Sequence, residues 1–192
     1  MSDKPKFLLA TAEAVANKII HSITGIGDAV ERIQIAGSIR RRKPQVGDIE
    51  ILYIPTYRTL PPADFFSTKP LLQNCVDEII STLILSGHLE KRLNKDGHET
   101  WGEKNKLARA VKTGIPVDFF ATTEECWFNY LVCRTGSAQS NIRIAAAAQA
   151  IGWKWNPYGP GFSRGSERHQ IASEEEVFHF VGLDYLPPEA RI

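Results

Sequence analysis

Residues 35–52, which read IAGSIRRRKPQVGDIEIL, combine a Gly-Ser pair, three consecutive arginines and two carboxylates in one short stretch. Residues two apart in a β-strand point to the same face with Cα atoms roughly 6.6 Å apart, so Asp48 and Glu50 project side by side. Two divalent cations in a phosphoryl-transfer site lie roughly 3.5–4 Å apart, a separation that one bridging carboxylate and a second beside it can hold. The spacing therefore indicates a two-metal site for phosphoryl transfer.

A third acidic residue, Asp118, stands alone among apolar residues in the run IPVDFFA. An isolated buried carboxylate is costly unless a cation balances its charge. That cation is either a metal ion, which makes Asp118 a third ligand of the same site, or a neighbouring arginine, which makes it half of a structural salt bridge. Taken with Asp48, Glu50 and the Gly-Ser turn, Asp118 favours the metal-ligand interpretation.

The Gly-Ser pair is a candidate phosphate-binding turn. Gly37 and Ser38 end a predicted strand and begin SIRRRK, which has room for about one helical turn before Pro44 ends it. A glycine lets the backbone approach a ligand closely, and a serine hydroxyl with exposed N–H groups at a helix start binds anions. A triphosphate suits this turn. Arginines 40–42 point in different directions on a helix, so one or two of them at most reach the phosphates.

Hydrophobic periodicity and turn residues predict the elements that position these side chains. The predicted helices cover residues 6–23, 71–86, 124–133, 137–151 and 173–182. The predicted strands cover residues 32–37 and 47–54, together with a hairpin that turns at Thr113-Gly114 and carries Asp118 in its second strand. Residues 55–62 predict a loop, and residues 153–166 predict short strands and turns.

Composition narrows the class of protein without naming a partner. The 192 residues include 23 Lys and Arg against 22 Asp and Glu, a balance that neither supports nor excludes nucleic acid. The cysteines, Cys75, Cys126 and Cys133, follow no metal-ligand spacing and fit reduced thiols in a cytoplasmic protein. No apolar run approaches the roughly 20 residues that a membrane span needs, so we expect no membrane partner.

The motifs together resemble those of the family X DNA polymerases. GSIRRRKPQVGDIEI is similar to the family signature of a Gly-Ser, paired arginines and two acids separated by one residue. PVDFF is similar to the family's third-carboxylate strand, and RTGSAQSN to its Thr-Gly-Ser turn with an asparagine four residues on. SEEEVFHFVGLDYLPPEAR is similar to the C-terminal segment common in bacterial members, so the resemblance covers roughly residues 30–192.

This resemblance implies an α+β fold in two lobes. Residues 1–122 would hold an N-terminal helix and a nucleotidyltransferase palm, with a mixed β-sheet flanked by helices. Residues 123–192 would form a small α/β thumb, the nucleotide-binding lobe. The resemblance implies that Asp48, Glu50 and Asp118 are catalytic and hold two Mg²⁺ ions, for which Mn²⁺ can substitute, and that Asp118 assists deprotonation of a primer 3′-hydroxyl. The implied nucleotide-binding residues are Gly37, Ser38, Arg41, Arg134, Gly136, Ser137 and Asn141.

Some positions depart from the family pattern. Cys133 and Arg134 stand where the family has an aromatic pair, Ala145 where it often has an arginine, and Phe120 where an arginine is common. The candidate nucleic-acid contacts are Arg143, Lys154 and Arg164. The aromatic residues Trp153, Trp155 and Tyr158 are predicted to form a core face rather than a base-stacking platform.

The function that these motifs favour is metal-dependent transfer of a nucleotide from a nucleoside triphosphate to a nucleic-acid 3′-hydroxyl, by a monomeric gap-filling DNA polymerase acting on primer-template or gapped DNA. One alternative is a template-independent nucleotidyltransferase that acts on RNA or on another hydroxyl acceptor. A second is a non-catalytic nucleic-acid-binding module, against which the presence of all three acids with Ser38 and Arg41 counts.

Overall fold

The computed structural model describes residues 5–62 and 70–191. Residues 1–4, 63–69 and 192, which fall within the two predicted lobes, lie outside the described residues. The helices are α1 (Leu9–Thr24), α2 (Gly37–Arg40), α3 (Cys75–Leu85), α4 (Trp127–Thr135), α5 (Ala138–Ala150) and α6 (Glu174–His179). The strands are β1 (Phe7–Leu8), β2 (Val30–Ile35), β3 (Gln45–Val46), β4 (Ile49–Pro55), β5 (Tyr57–Leu60), β6 (Leu71–Asn74), β7 (Leu89–Lys91), β8 (Asn105–Ala110), β9 (Pro116–Ala121), β10 (Lys154–Trp155), β11 (Gly161–Arg164) and β12 (Glu167–Gln170).

The principal sheet has the strand order β2-β4-β9-β8-β7. Strands β4 and β9 pair in parallel and the other neighbours pair antiparallel, so the sheet is mixed. Apolar side chains of β4 and β9 that share one face of the sheet belong to a core cluster with residues of α1 and α3. The α+β class with a mixed sheet and flanking helices is therefore confirmed.

The C-terminal part has its own core, in which α4, α5 and α6 pack with the small antiparallel sheet β10-β11-β12. A third apolar cluster joins the two parts, because Leu52 and Phe120 of the principal sheet pack against Trp127, Tyr130 and Leu131 of α4. This packing fixes the position of α4, and of the turn that follows it, over the face of the sheet opposite to α1 and α3.

Two local predictions are corrected by the structure. The predicted loop at 55–62 contains β5, which pairs with β6, so the predicted helix at 71–86 begins only at Cys75. Asn74 caps that helix, because its side chain accepts hydrogen bonds from the amides of Val76 and Asp77. Leu71 and Leu72 fit the helical periodicity of the sequence, but they pair with β5 and form a strand instead.

Among the described residues, none of the helices has the length and apolar character that crossing a lipid bilayer requires.

Candidate active site

The three acids meet on one face of the principal sheet. Asp48 immediately precedes β4, Glu50 is the second residue of that strand, and Asp118 of β9 is the direct register partner of Glu50. Neighbouring strands lie roughly 4.8 Å apart, so the side chains of Glu50 and Asp118 start close together. The parallel pairing of β4 with β9 therefore joins two motifs that are far apart in sequence.

The Gly-Ser turn lies directly against this acidic face. Gly37 begins α2 with a φ of +63°, and a Cβ atom added to it would lie 2.5 Å from Oε2 of Glu50. Both the positive φ and the contact exclude larger residues, so glycine is required here for the helix to approach the carboxylate. The Oγ atom of Ser38 is buried and has no hydrogen-bond partner among the described residues.

A cavity of about 450 Å³ brings the two lobes' predicted residues together. The predicted residues in its lining are Gly37, Ser38, Arg41, Asp48, Glu50, Arg134, Gly136, Ser137 and Asn141. Cys133, Ala138 and Tyr158 also line it. Asp118 is adjacent to Glu50 in the sheet but is not part of this lining.

The electrostatics of the cavity are those of crowded carboxylates. Burial raises the pKa of Glu50 to about 8, and repulsion by Asp48 adds to the effect, while Arg134 opposes it. Burial also raises the pKa of Asp118, although Arg92 donates a hydrogen bond to this carboxylate and opposes the shift. A cation placed between these groups would favour their ionised forms.

The donor set fits magnesium by its chemistry, because Mg²⁺ prefers carboxylate oxygens. Among residues 5–62 and 70–191, no group of three or more His, Cys, Asp or Glu side chains is arranged as a metal site. Asp118 forms a salt bridge with Arg92, which is the alternative that the sequence leaves open for this acid. Asp48 and Glu50 have no such partner in the described ion pairs.

The three consecutive arginines, residues 40–42, contact three different parts of the chain. Arg40 donates hydrogen bonds to both carboxylate oxygens of Glu174, the first residue of α6, at 2.9 and 2.5 Å. Arg41 donates to the backbone carbonyls of Thr135 and Gly136 and lines the cavity. Arg42 has a φ of 57° and pairs with Glu13 of α1 at the surface. Only Arg41 thus lines the cavity, as the divergence of side chains around a helical turn predicts.

Arg134 lies in an aromatic environment instead of on an open surface. Its guanidinium carbon is 3.6 Å from the ring centroid of Phe120, 5.1 Å from that of Tyr158 and 5.6 Å from that of Tyr130. The side chain also lines a second cavity of about 390 Å³, which adjoins the first. Phe120 and Arg134 are both departures from the family pattern, and the structure shows that they contact each other.

The predicted nucleic-acid contacts do not converge on this cavity. Arg143 and Lys154 are exposed, and Arg164 pairs with Glu167 and lies over the ring of Trp153. The interpretation of the aromatic run as core is correct for Trp155, which is 7% exposed.

For Tyr158 the core interpretation is wrong, because this residue is 57% exposed and lines both cavities. It follows Pro157 and precedes Gly159, so a turn breaks the strand alternation on which the core interpretation rests.

Comparisons with known proteins agree with this architecture. Residues 130–192 match the family model described as DNA polymerase beta thumb. A crystal structure of Leishmania infantum polymerase beta in a ternary P/T complex superposes with a TM-score of 0.72 at 19% identity, over 98% of this chain and 77% of that one. A ternary gap complex of the same polymerase gives a TM-score of 0.72 at 19% identity, over 97% and 71%. A comparison with curated protein sequences finds no match.

The chain therefore has the fold of a polymerase beta-type protein, with the principal sheet as its palm. Its C-terminal residues 130–192 match the thumb of that class. These two findings confirm the resemblance to family X DNA polymerases that the sequence motifs indicate.

Proposed function

We propose that the protein is a metal-dependent nucleotidyltransferase that transfers a nucleoside monophosphate from a nucleoside triphosphate to a nucleic-acid 3′-hydroxyl. The observation that carries the proposal is the 450 Å³ cavity, where a Gly-Ser turn, two carboxylates and the thumb turn at Gly136 face one another. We further propose that the acceptor is the 3′ end of primer-template or gapped DNA in repair, and that the protein acts as a cytoplasmic monomer.

The roles of the residues follow from their chemistry. Asp48 and Glu50, with Asp118, would hold two Mg²⁺ ions, which Mn²⁺ can replace. Bound there, the ions supply charge stabilisation to the transferring phosphoryl group and to the attacking and leaving oxygens. Asp118, next to Glu50 in the sheet, would also accept the proton of the acceptor hydroxyl.

The triphosphate would lie against the start of α2. Two donors line the palm side of the cavity: the buried Ser38 hydroxyl, which has no partner among the described residues, and the Arg41 guanidinium. Both suit phosphate oxygens. Asn141 donates to the carbonyl of Cys133 and keeps a buried Oδ1 atom without a partner among the described residues. We propose that this oxygen, with the thumb turn at Gly136 and Ser137, contacts the nucleoside.

The two lobes that the sequence predicts, 1–122 and 123–192, remain the proposed division. In support, one core cluster has buried residues only from 1–122 and a second only from 123–192. A third cluster contains residues of both proposed lobes and packs them together. The nucleic-acid contacts at Arg143, Lys154 and Arg164 remain proposals as well. Free cysteines at 75, 126 and 133 are consistent with the proposed cytoplasmic location.

The experiment that tests the proposal offers labelled primer-template, gapped duplex and single-stranded RNA in parallel, with each nucleotide and either Mg²⁺ or Mn²⁺. Extension of the gapped or primed DNA that follows the template supports the proposal. Untemplated addition to RNA would instead identify a template-independent transferase, which the Cys133-Arg134 replacement makes the second candidate. Absence of transfer to every acceptor would contradict enzymatic function.

Arg41 and Arg42 provide a matched pair of substitutions. We expect Arg41→Ala to raise KM for the nucleotide by roughly 10- to 100-fold, because a charge-assisted hydrogen bond to phosphate contributes about 1.5–3 kcal/mol. Arg42→Ala should change KM less than about twofold, because a surface ion pair such as that with Glu13 contributes little. Steady-state kinetics on a single gapped duplex measure both. Equal changes in KM would show that the arginines do not differ in their access to the triphosphate.

Cys133 and Arg134, in the last turn of α4, predict weak discrimination between deoxyribonucleotides and ribonucleotides. Rejection of a 2′-hydroxyl requires a site that leaves it no room or no partner. Cys133 is a small side chain in the cavity lining, and the Arg134 guanidinium beside it can donate a hydrogen bond to that hydroxyl. We therefore expect kcat/KM on one gapped duplex to favour the deoxy form by less than roughly a thousandfold, or ~4 kcal/mol. A larger preference would show that the Gly136-Ser137 backbone discriminates unaided.

A further inference from the structure

Strand pairing, and not sequence proximity, places Arg92 next to Asp118. Asp118 is the last of the acidic row, which we define as Asp48, Glu50 and Asp118. Arg92 follows β7, and its amide donates to the carbonyl of Leu107 at 3.0 Å. Leu107 is the register partner of Asp118, and Asp118 that of Glu50. Residues directly opposite each other across strands share a face, so Arg92 reaches over Leu107 to Asp118 across roughly 9.6 Å, or two strand spacings.

The ion pair that results is largely shielded from water. The side chain of Arg92 is 19% exposed and that of Asp118 is 13% exposed. Nη2 of Arg92 donates to Oδ1 of Asp118, and Nη1 donates to the carbonyl of Leu93 at 3.3 Å. Nε is buried without a hydrogen-bond partner among the described residues. The described hydrogen bonds of the Arg92 side chain are therefore made by its two terminal nitrogens, and only one of these binds Asp118.

A metal ion and a guanidinium compete for the same carboxylate. Both are cations, so they repel each other at short range, and a partly buried position screens that repulsion much less than water does. We propose that Arg92 is a positioning residue that holds Asp118 out of the metal site until a divalent cation displaces it. The inference rests on the proposed function, because the proposed function assigns Asp118 as the third metal ligand. Asp118 would become a ligand only after Arg92 releases it. Asp48 and Glu50, by contrast, line the cavity and take part in none of the described ion pairs.

Binding of Mn²⁺ alone tests the competition without any catalytic assay. We would titrate the full chain, without nucleotide or nucleic acid, with Mn²⁺ and follow free ion by electron paramagnetic resonance. Arg92→Gln should bind Mn²⁺ about five- to tenfold more tightly than the unmodified chain, the tenfold limit corresponding to ~1.4 kcal/mol. Arg92→Lys keeps the charge and should stay within about twofold of the unmodified chain.

Arg109→Gln is the matched control, because Arg109 lies on the adjacent strand and its surface ion pair with Glu90 does not involve the acidic row. It should leave Mn²⁺ affinity unchanged. Melting curves in EDTA verify that each variant is folded, and Mn²⁺ should raise the melting temperature of Arg92→Gln more than that of the other variants.

The outcomes separate this inference from the proposed function. Unchanged or weaker Mn²⁺ binding by folded Arg92→Gln, with normal binding by the unmodified chain, would overturn the competition and leave Arg92 as a structural partner. Failure of the unmodified chain and of Arg92→Gln to bind millimolar Mn²⁺ would overturn the metal site itself, and the inference with it.

Discussion

Replacing any one of Asp48, Glu50 and Asp118 by its amide is expected to lower the rate of nucleotide transfer by at least roughly a thousandfold, or ~4 kcal/mol. Asparagine and glutamine keep the shape of each side chain but remove the negative charge that, under the proposed function, would hold a divalent cation beside the transferring phosphoryl group. The measurement is single-turnover extension of a labelled primer. Circular dichroism and melting curves establish that each variant is folded.

Asp96→Asn is the control for this series, because Asp96 is an exposed aspartate that takes part in none of the described ion pairs and does not line the cavity. It should transfer nucleotide at the unmodified rate. Near-normal turnover of Asp118→Asn alone would show that this residue serves Arg92 and not a metal ion. Near-normal turnover of Asp48→Asn or Glu50→Gln would contradict the proposed chemistry altogether.

The second large effect concerns stability at the junction between α2 and α6. Glu174, at the start of α6, accepts hydrogen bonds from Arg40 of the palm and, at 3.0 Å, from Arg191. Arg191 is completely buried and its Nε donates a hydrogen bond to the carbonyl of Leu186. Its guanidinium carbon also lies 5.1 Å from the ring centroid of Phe178 and 5.5 Å from that of Tyr185. Glu174→Gln would leave two arginines without their counter-charge, so we expect a loss of about 3 kcal/mol in the free energy of unfolding. For a chain of this size that loss corresponds to a melting temperature lower by roughly 6–12 °C.

The same carboxylate predicts how the effect depends on pH. Burial would raise the pKa of Glu174, but hydrogen bonds and charges from Arg40 and Arg191 outweigh burial and hold the pKa below its ordinary value of 4.5. A depressed pKa in the folded state stabilises the protein above the ordinary value, and the contribution is lost as the pH falls through the folded-state pKa. The difference between the unmodified chain and Glu174→Gln should therefore be full at pH 7 and shrink in acid below pH 4.5.

Glu175→Gln is the matched control for this prediction, because Glu175 is the exposed neighbour on the same helix. It should shift the melting temperature by no more than about 2 °C, as surface substitutions away from special features usually do. Equal shifts for the two variants at pH 7 would show that the Arg40-Glu174-Arg191 cluster does not stabilise the junction.

The sequence by itself determined the local geometry of the candidate site. Period-two spacing put Asp48 and Glu50 on one face, and Pro44 limited the turn after Ser38 to one helical turn. Both conclusions follow from the geometry of a few consecutive residues, so no knowledge of distant contacts was needed. The α+β class followed from patterns of the same local kind together with the family resemblance.

Tertiary structure alone decided which distant residues meet these groups. Leu71 and Leu72 joined a strand because a partner strand was available, which periodicity along the chain cannot reveal. Tyr158 reached the cavity because a turn between two prolines rotates it out of the strand pattern. Arg40 met Glu174, 134 positions away, because α6 packs on α4 and α4 packs on α2.

Arg92 shows the reason most clearly. Nothing in LEKRLNK distinguishes this arginine from its basic neighbours. Its contact with Asp118 arises from two successive strand registers, and a shift of one residue in either would turn the side chain to the opposite face of the sheet. Register depends on the burial of a whole face, which is a property of the assembled sheet. The local sequence is therefore enough to identify the acids, but only the assembled sheet shows that Arg92 binds Asp118.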